Sequence, residues 1–248
     1  MLRSLLERLY GIYALTVFMV FALLFFCPLI LIGPTLRVRR ETGRIGMRVT
    51  LALMGVPFRV SGREHLPDGA AIIISNHASY VDGLVMTAAL PSRYTFVVQD
   101  GAASWPYAGL VLKRMGVTFI NRSSARAGAV QTRALIRRLQ DGESFTIFAE
   151  GTFGDEAGLL PFKTGAFMMA AQAGVPVVPA GLRGTRRLFG EGRRLLRPSR
   201  IEVELGAPLK PAGDHKHAAM ALRDAVRAQV LARCGEPDAA RSASEADA

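Results

Sequence analysis

Between Leu9 and Leu36 this 248-residue chain carries no charged side chain, and the stretch from Ile12 to Ile32 is almost wholly apolar. A helix needs about 20 such residues to cross the hydrocarbon of a bilayer, so the run is long enough. It is too long for the core of a cleaved signal and no small-x-small site follows it, which reads as a retained membrane anchor. Arg37, Arg39, Arg40, Arg44 and Arg48 follow the run against Glu41 alone, whereas Arg3 and Arg8 precede it with Glu7. That excess of positive charge past the run predicts a membrane protein whose body lies on the cytoplasmic face. Pro28 predicts a kink, and Ile45, Val49 and Leu53 mark one face of a second helix ending near Gly55-Val56-Pro57. A spanning helix and a helical pair lying in one leaflet both fit this pattern.

The rest of the chain is long enough for one substantial core, and no Pro- or Ser-rich linker divides it. Short β-branched runs at Phe58–Ser61, Ile72–Ile74, Tyr94–Val98, Val117–Ile120, Ser144–Ala149, Val177–Leu182 and Ile201–Leu205 alternate with helical patterns at Asp82–Leu90, Trp105–Met115, Ala127–Leu139 and Thr164–Ala173. Leu222, Val226 and Val230 mark a terminal helix. The prediction is an α/β fold, a mixed, mostly parallel open sheet covered by helices, with an N-terminal membrane-anchoring helical segment. Residues 1–56 form that segment, 57–234 the main domain, and 235–248, small and polar without periodicity, a disordered tail.

The formal charge of +11, carried mostly by arginine, calls for an anionic partner. With an anchor present, the lipid surface is the economical choice, and no recognised nucleic-acid module accompanies the arginines, so no nucleic acid is expected. Cys27 and Cys234 have neither a pairing nor a metal-type spacing, which predicts no disulfide and no metal site.

The chemistry concentrates where the strand Ile72-Ile73-Ile74 empties into Ser75-Asn76-His77, five residues before Asp82. Ser79 and Asp82 read as the first turn of a helix, leaving His77 in the strand-to-helix turn. Asp82 can there fold back on the imidazole, fix its tautomer and raise its basicity, so that the other ring nitrogen takes a proton from a hydroxyl. Asp82 closing a capping box with Ser79 fits the same residues. Arg122 and Glu150 also follow strands, and residues just past strand ends gather in one cleft of an open sheet. A solvated strand-end charge for Arg122 and a capping role for Glu150 are the plainer alternatives.

Taken together, Asn76-His77-x4-Asp82, Gly116-x-x-Phe119-Ile120-x-Arg122, Phe148-Ala149-Glu150-Gly151-Thr152 and Val175-Pro176-Val177-Val178-Pro179 resemble the four signature blocks of the PlsC-type glycerolipid acyltransferases. The resemblance spans most of residues 58–205. It implies direct acyl transfer from acyl-CoA or acyl carrier protein, a donor substrate rather than a cofactor, to the hydroxyl of a lysolipid such as lysophosphatidic acid. His77 and Asp82 would be catalytic, as general base and orienter. Asn76, Arg122, Glu150, Gly151, Thr152 and Lys163 would serve the substrate side, with Arg122 gripping the acceptor phosphate and a Gly151 amide helping to hold the oxyanion. Two departures stand out: Ala149 replaces the proline and Phe153 the arginine of the usual third block, and Lys163 is the basic residue placed to compensate. Another lysolipid, such as a lyso-aminolipid, is the alternative acceptor. A non-catalytic basic protein binding membrane or nucleic acid is the alternative of another class.

Overall fold

A computed structural model of the chain describes residues 2–121 and 125–240. The N-terminal run is one continuous helical rod: α1 (Leu2–Val17) passes through a more widely wound stretch, Phe18–Phe26, into α2 (Cys27–Ile32). The widening has a local cause. Pro28 has no N–H and crowds the turn before it, so the winding opens until Cys27 N–H reaches Ala22 O, five residues back. After the turn at Gly33-Pro34, Thr35 caps α3 (Leu36–Leu53) by accepting the Val38 N–H. The two rods approach closely because Gly46 faces Phe26, where an added Cβ would lie 2.5 Å from the ring. The buried face of α3 consists of Gly43, Gly46, Met47, Thr50 and Leu51, while Ile45, Val49 and Leu53 point outward. The apolar stripe that announces this helix in the sequence is therefore surface.

The described residues form a seven-stranded sheet from β1 (Phe58–Ser61), β2 (Ile72–Ser75), β3 (Tyr94–Gln99), β4 (Thr118–Ile120), β5 (Ser144–Phe148), β6 (Val177–Arg183) and β7 (Ile201–Leu205). Their order is β1-β7-β6-β2-β5-β3-β4, and every neighbouring pair is parallel except β6 with β7. The mixed, mostly parallel open sheet expected from the sequence is thus the fold adopted. Helices α4 (Asp82–Ala89), α5 (Ala108–Arg114), α6 (Ala125–Gln140), α7 (Gly165–Ala173), α8 (Thr185–Phe189) and α9 (Lys216–Cys234) complete it. The helix expected from Trp105 starts later, at Ala108, because Tyr107 turns the chain with φ at 57°.

The central strand explains its own composition. Ile72 and Ile74 pack with Phe145, Phe167 and Val226 on one face, and Ile73 with Leu51, Val85, Met86 and Val178 on the other. A parallel strand buried on both faces reads as an unbroken β-branched run, and each fully buried isoleucine stabilises by about 1.5–3 kcal/mol. Because β5 and β6 flank β2 and run parallel to it, residues just beyond the C-terminal ends of β2 and β5 emerge side by side.

Past α9 the chain does not leave the surface at once. Glu236 accepts from Gly158 N–H and the Arg186 guanidinium, and Asp238 pairs with Arg227. The tail expected to be disordered from Gly235 therefore docks through its acids as far as Asp238, a contact that apolar periodicity does not register; residues 241–248 lie outside the described residues.

Candidate active site

The turn after β2 holds the histidine by two carboxylates at once. Asp82, the first residue of α4 and fully buried, places Oδ2 2.7 Å from His77 Nδ1. The same oxygen accepts the N–H groups of Ala78, at 2.6 Å, and Ser79, at 2.9 Å. Capping and orienting, alternatives in the sequence, are one arrangement: the acid that reaches back to the turn amides also receives the imidazole. A carboxylate can only accept, so Nδ1 carries the proton and Nε2 presents a lone pair. Asp82 Oδ1 is buried without a hydrogen-bond partner among the described residues, so the carboxylate charge is held in a poorly solvated place beside the ring.

Glu150, two residues beyond β5, supplies the second clamp. One oxygen accepts His77 N–H at 2.6 Å and the other Leu160 N–H at 2.7 Å, and the residue is 3% exposed. Burial pushes its carboxyl up to about 7, against the opposing pull of the two peptide N–H groups; the Asp82 charge raises it further and Arg186 lowers it. Both oxygens face backbone, so Glu150 ties the His77 turn to the loop at Leu160.

Rings close the imidazole in. Phe148 stacks on it at 4.4 Å between centroids and 18° between planes, and Phe153 leans against it, also at 4.4 Å. Tyr80 meets Phe153 edge-on at 4.9 Å. The His77 side chain keeps 20% exposure, an opening for a substrate hydroxyl in an otherwise aromatic surround. Ser79 turns its hydroxyl to Phe189 O, tying the catalytic turn to the end of α8.

The other residues singled out in the sequence separate. Asn76 is 1% exposed and spends its amide on one distant peptide, Nδ2 donating to Leu182 O at 2.9 Å and Oδ1 accepting Leu182 N–H at 2.8 Å. It extends the β2–β6 ladder past Ser75. Gly151, at φ 78°, turns its N–H back to Phe148 O at 3.2 Å. Thr152 and Lys163 are exposed, and Lys163 is tied to the site only through its N–H on Ala149 O. Arg122 lies outside the described residues. Phe148 opens the third block, but its stacking on the imidazole follows from β5 lying beside β2. Tyr80 and Arg186 were not singled out for the site by motif reading. Arg186, which donates to Gly154 O at 2.6 Å and Glu236 at 2.9 Å and so braces the loop carrying Phe153, looks in the sequence like one more surface arginine.

The acyltransferase family model matches residues 57–183, which contain His77, Asp82, Glu150 and the rings of Tyr80, Phe148 and Phe153. A 1-acyl-sn-glycerol-3-phosphate acyltransferase of Neisseria meningitidis serogroup B is 35% identical over 168 residues, covering 67% of this chain and 63% of that protein. The 1-acyl-sn-glycerol-3-phosphate acyltransferase alpha of Mus musculus is 31% identical over 182 residues, covering 72% and 64%. The match thus spans a little under two thirds of these relatives' length. The crystal structure of the 1-acyl-sn-glycerophosphate (LPA) acyltransferase PlsC from Thermotoga maritima superposes with a TM-score of 0.72 at 23% identity, over 93% of this chain and 96% of that one, a likeness of fold.

Proposed function

The chain belongs to the acyltransferase family, and from that premise we propose that it moves a fatty acyl chain from acyl-CoA or acyl carrier protein to the free hydroxyl of a lysolipid, 1-acylglycerol-3-phosphate giving phosphatidic acid. The observation that carries the reading is the 2.7 Å contact from Asp82 to His77 Nδ1, which leaves Nε2 as a base beside an opening. Nε2 takes the hydroxyl proton as the oxygen attacks the thioester carbonyl. Collapse of the tetrahedral intermediate breaks the carbon–sulfur bond, and the imidazolium returns the proton to the departing thiolate. Thiol release that requires added lysolipid tests it; a non-catalytic basic lipid binder would occupy vesicles and release no thiol.

Phe153 supports a second acceptor. It stands where the family's third block carries an arginine, and its ring covers His77 instead of offering a donor. A phosphomonoester carries about −1.5 to −2 charge near neutral pH and would lean on Arg122 and Lys163. Phe153→Arg should lower the KM for lysophosphatidic acid by about tenfold, a charged hydrogen bond being worth about 1.5–3 kcal/mol, and Arg122→Ala should abolish its use. If lysophosphatidic acid is poorer than both a zwitterionic lysolipid and a lyso-aminolipid, and Arg122→Ala leaves the best of the three untouched, the phosphate grip is the wrong reading of Arg122.

The membrane mode follows from contacts along the apolar rod. Ser4–Ile32 is long and apolar enough to span, at about 43 Å for 29 residues. Yet both ends touch the folded domain. Near the start, a Cβ on Gly11 would lie 2.8 Å from Leu196 O; further along, Tyr107 donates to Leu23 O at 2.7 Å and Arg114 to Leu31 O at 2.6 Å. The rod also leaves Leu9, Ile12, Leu24 and Phe25 exposed, beside Trp105 and Leu110 of the domain. These features support a helical pair lying in one leaflet, with the catalytic domain on the cytoplasmic face. In a background without Cys27 and Cys234, Ser4→Cys and Arg37→Cys should react with an impermeant maleimide from the same side of a sealed vesicle. Reaction from opposite sides would restore the spanning helix.

A further inference from the structure

The arginines between β6 and β7 are not one surface. Arg183 is tied to Arg233 O and Glu204, Arg186 to Glu236, Arg187 to Pro198 O, and Arg200 sits by Glu202. Those four are occupied in holding the protein together. Arg193, Arg194 and Arg197 are not: they line, with Ser4, Glu7 and Arg8 from the first turns of α1, a cavity of about 370 Å³. Arg193 Nη1 is buried there with no hydrogen-bond partner among the described residues.

A buried guanidinium N–H without an acceptor costs free energy, and among the described residues nothing removes the cost. Burial holds the Arg193 guanidinium below its ordinary range, repulsion from Arg197 and Arg187 lowers it further, and Glu7 offsets them in part. Four arginines face one another across the cavity against a single lining acid, an arrangement that needs an anion with several acceptor oxygens. The position indicates which anion. Ser4, Glu7 and Arg8 stand immediately before the uncharged run that begins at Leu9, and Leu5, Leu6 and Leu9 beside them are exposed. In the single-leaflet arrangement, on which this step rests, those leucines lie in acyl chains and the cavity one turn away lies at the depth of headgroup phosphates.

We propose that the cavity between α1 and the loop at Arg193–Arg197 binds the phosphodiester of an anionic phospholipid, a docking site distinct from the acceptor site at His77. The site hangs directly from α8, since Arg193 N–H donates to Gly190 O, and α8 ends at the carbonyl that receives Ser79.

The test uses the full-length protein and vesicles without thioester, so that it is independent of whether the acyl transfer occurs. Binding to phosphatidylcholine vesicles with and without phosphatidylglycerol is compared for wild type, for Arg193→Gln with Arg197→Gln, and for Arg59→Gln with Arg137→Gln, which removes the same charge from exposed sites elsewhere. The cavity pair should lose about tenfold or more in affinity for the phosphatidylglycerol vesicles and nothing for pure phosphatidylcholine, while the control pair changes less than threefold. If the change at the half-buried Arg193 prevents folding, Arg194→Gln with Arg197→Gln, both exposed, should show the same selective loss. Equal losses in cavity and control pairs would reduce the cavity to diffuse charge and overturn the proposal. Unchanged vesicle binding with a raised KM for acyl-CoA would overturn it in favour of a site for the donor's phosphates.

Discussion

Replacing His77 by alanine should lower acyl transfer by at least about 10²–10⁴-fold, the usual contribution of a general base, with further loss because the hydroxyl is no longer aligned. The fold should survive, since the ring stacks beside Phe148 and Phe153 and keeps part of its surface in solvent. The turn itself is held by the His77 N–H, not by its side chain. Thermal unfolding and vesicle binding measured beside turnover separate the two effects. Near-normal turnover in His77→Ala would sink the mechanism.

Asp82→Asn refines the same test. One oxygen, Oδ2, takes the imidazole and both turn amides, so an asparagine with its carbonyl at that position keeps all three bonds and the tautomer. Its amide NH₂ falls where Oδ1 already has no hydrogen-bond partner among the described residues. What disappears is the negative charge that stabilises imidazolium as the proton is taken. Losing that stabilisation of the developing charge should lower turnover by about 10²–10³-fold with KM little changed. Full activity would return Asp82 to a capping role alone.

The sheet was legible because its strands declare themselves in β-branched runs whose neighbours are helices, and a buried central strand such as Ile72–Ile74 has little other reading. The His77–Asp82 pair was legible because both partners lie within one turn of chain. What the sequence does not carry is non-local. The partner of Asn76 is the Leu182 peptide, 106 residues away on a strand whose adjacency to β2 no periodicity specifies. The turn that points the Gly151 N–H back to Phe148 O is likewise a matter of backbone conformation, φ 78°. Composition cannot separate a spanning rod from one lying in a leaflet, because both expose apolar surface to lipid. The contacts of Tyr107 and Arg114 with the rod are what motivates the single-leaflet proposal.

Glu150→Gln should impair catalysis by moving His77 and should change how stability depends on pH. Two N–H groups, from His77 and Leu160, converge on the carboxylate, and an amide can accept only one of them while turning a donor toward the other. The orphaned N–H costs about 1–3 kcal/mol, and the displaced turn should lower kcat about tenfold or more with KM little changed. A raised KM at normal kcat would instead make Glu150 an acceptor contact, the role that the resemblance implied. The pH dependence has a definite sign. Burial raises the folded carboxyl to about 7 from 4.5, so between those values the folded chain holds a proton that the unfolded chain releases. The stabilisation relative to Glu150→Gln is complete below pH 4.5 and is lost as pH rises through 7, by on the order of 3 kcal/mol at 1.36 kcal/mol per unit. Denaturant unfolding of wild type and Glu150→Gln side by side in detergent at pH 5 and pH 8 reads that difference. A wild-type advantage that grows with pH would mean that the two N–H bonds outweigh burial and that the carboxylate is the form held beside His77.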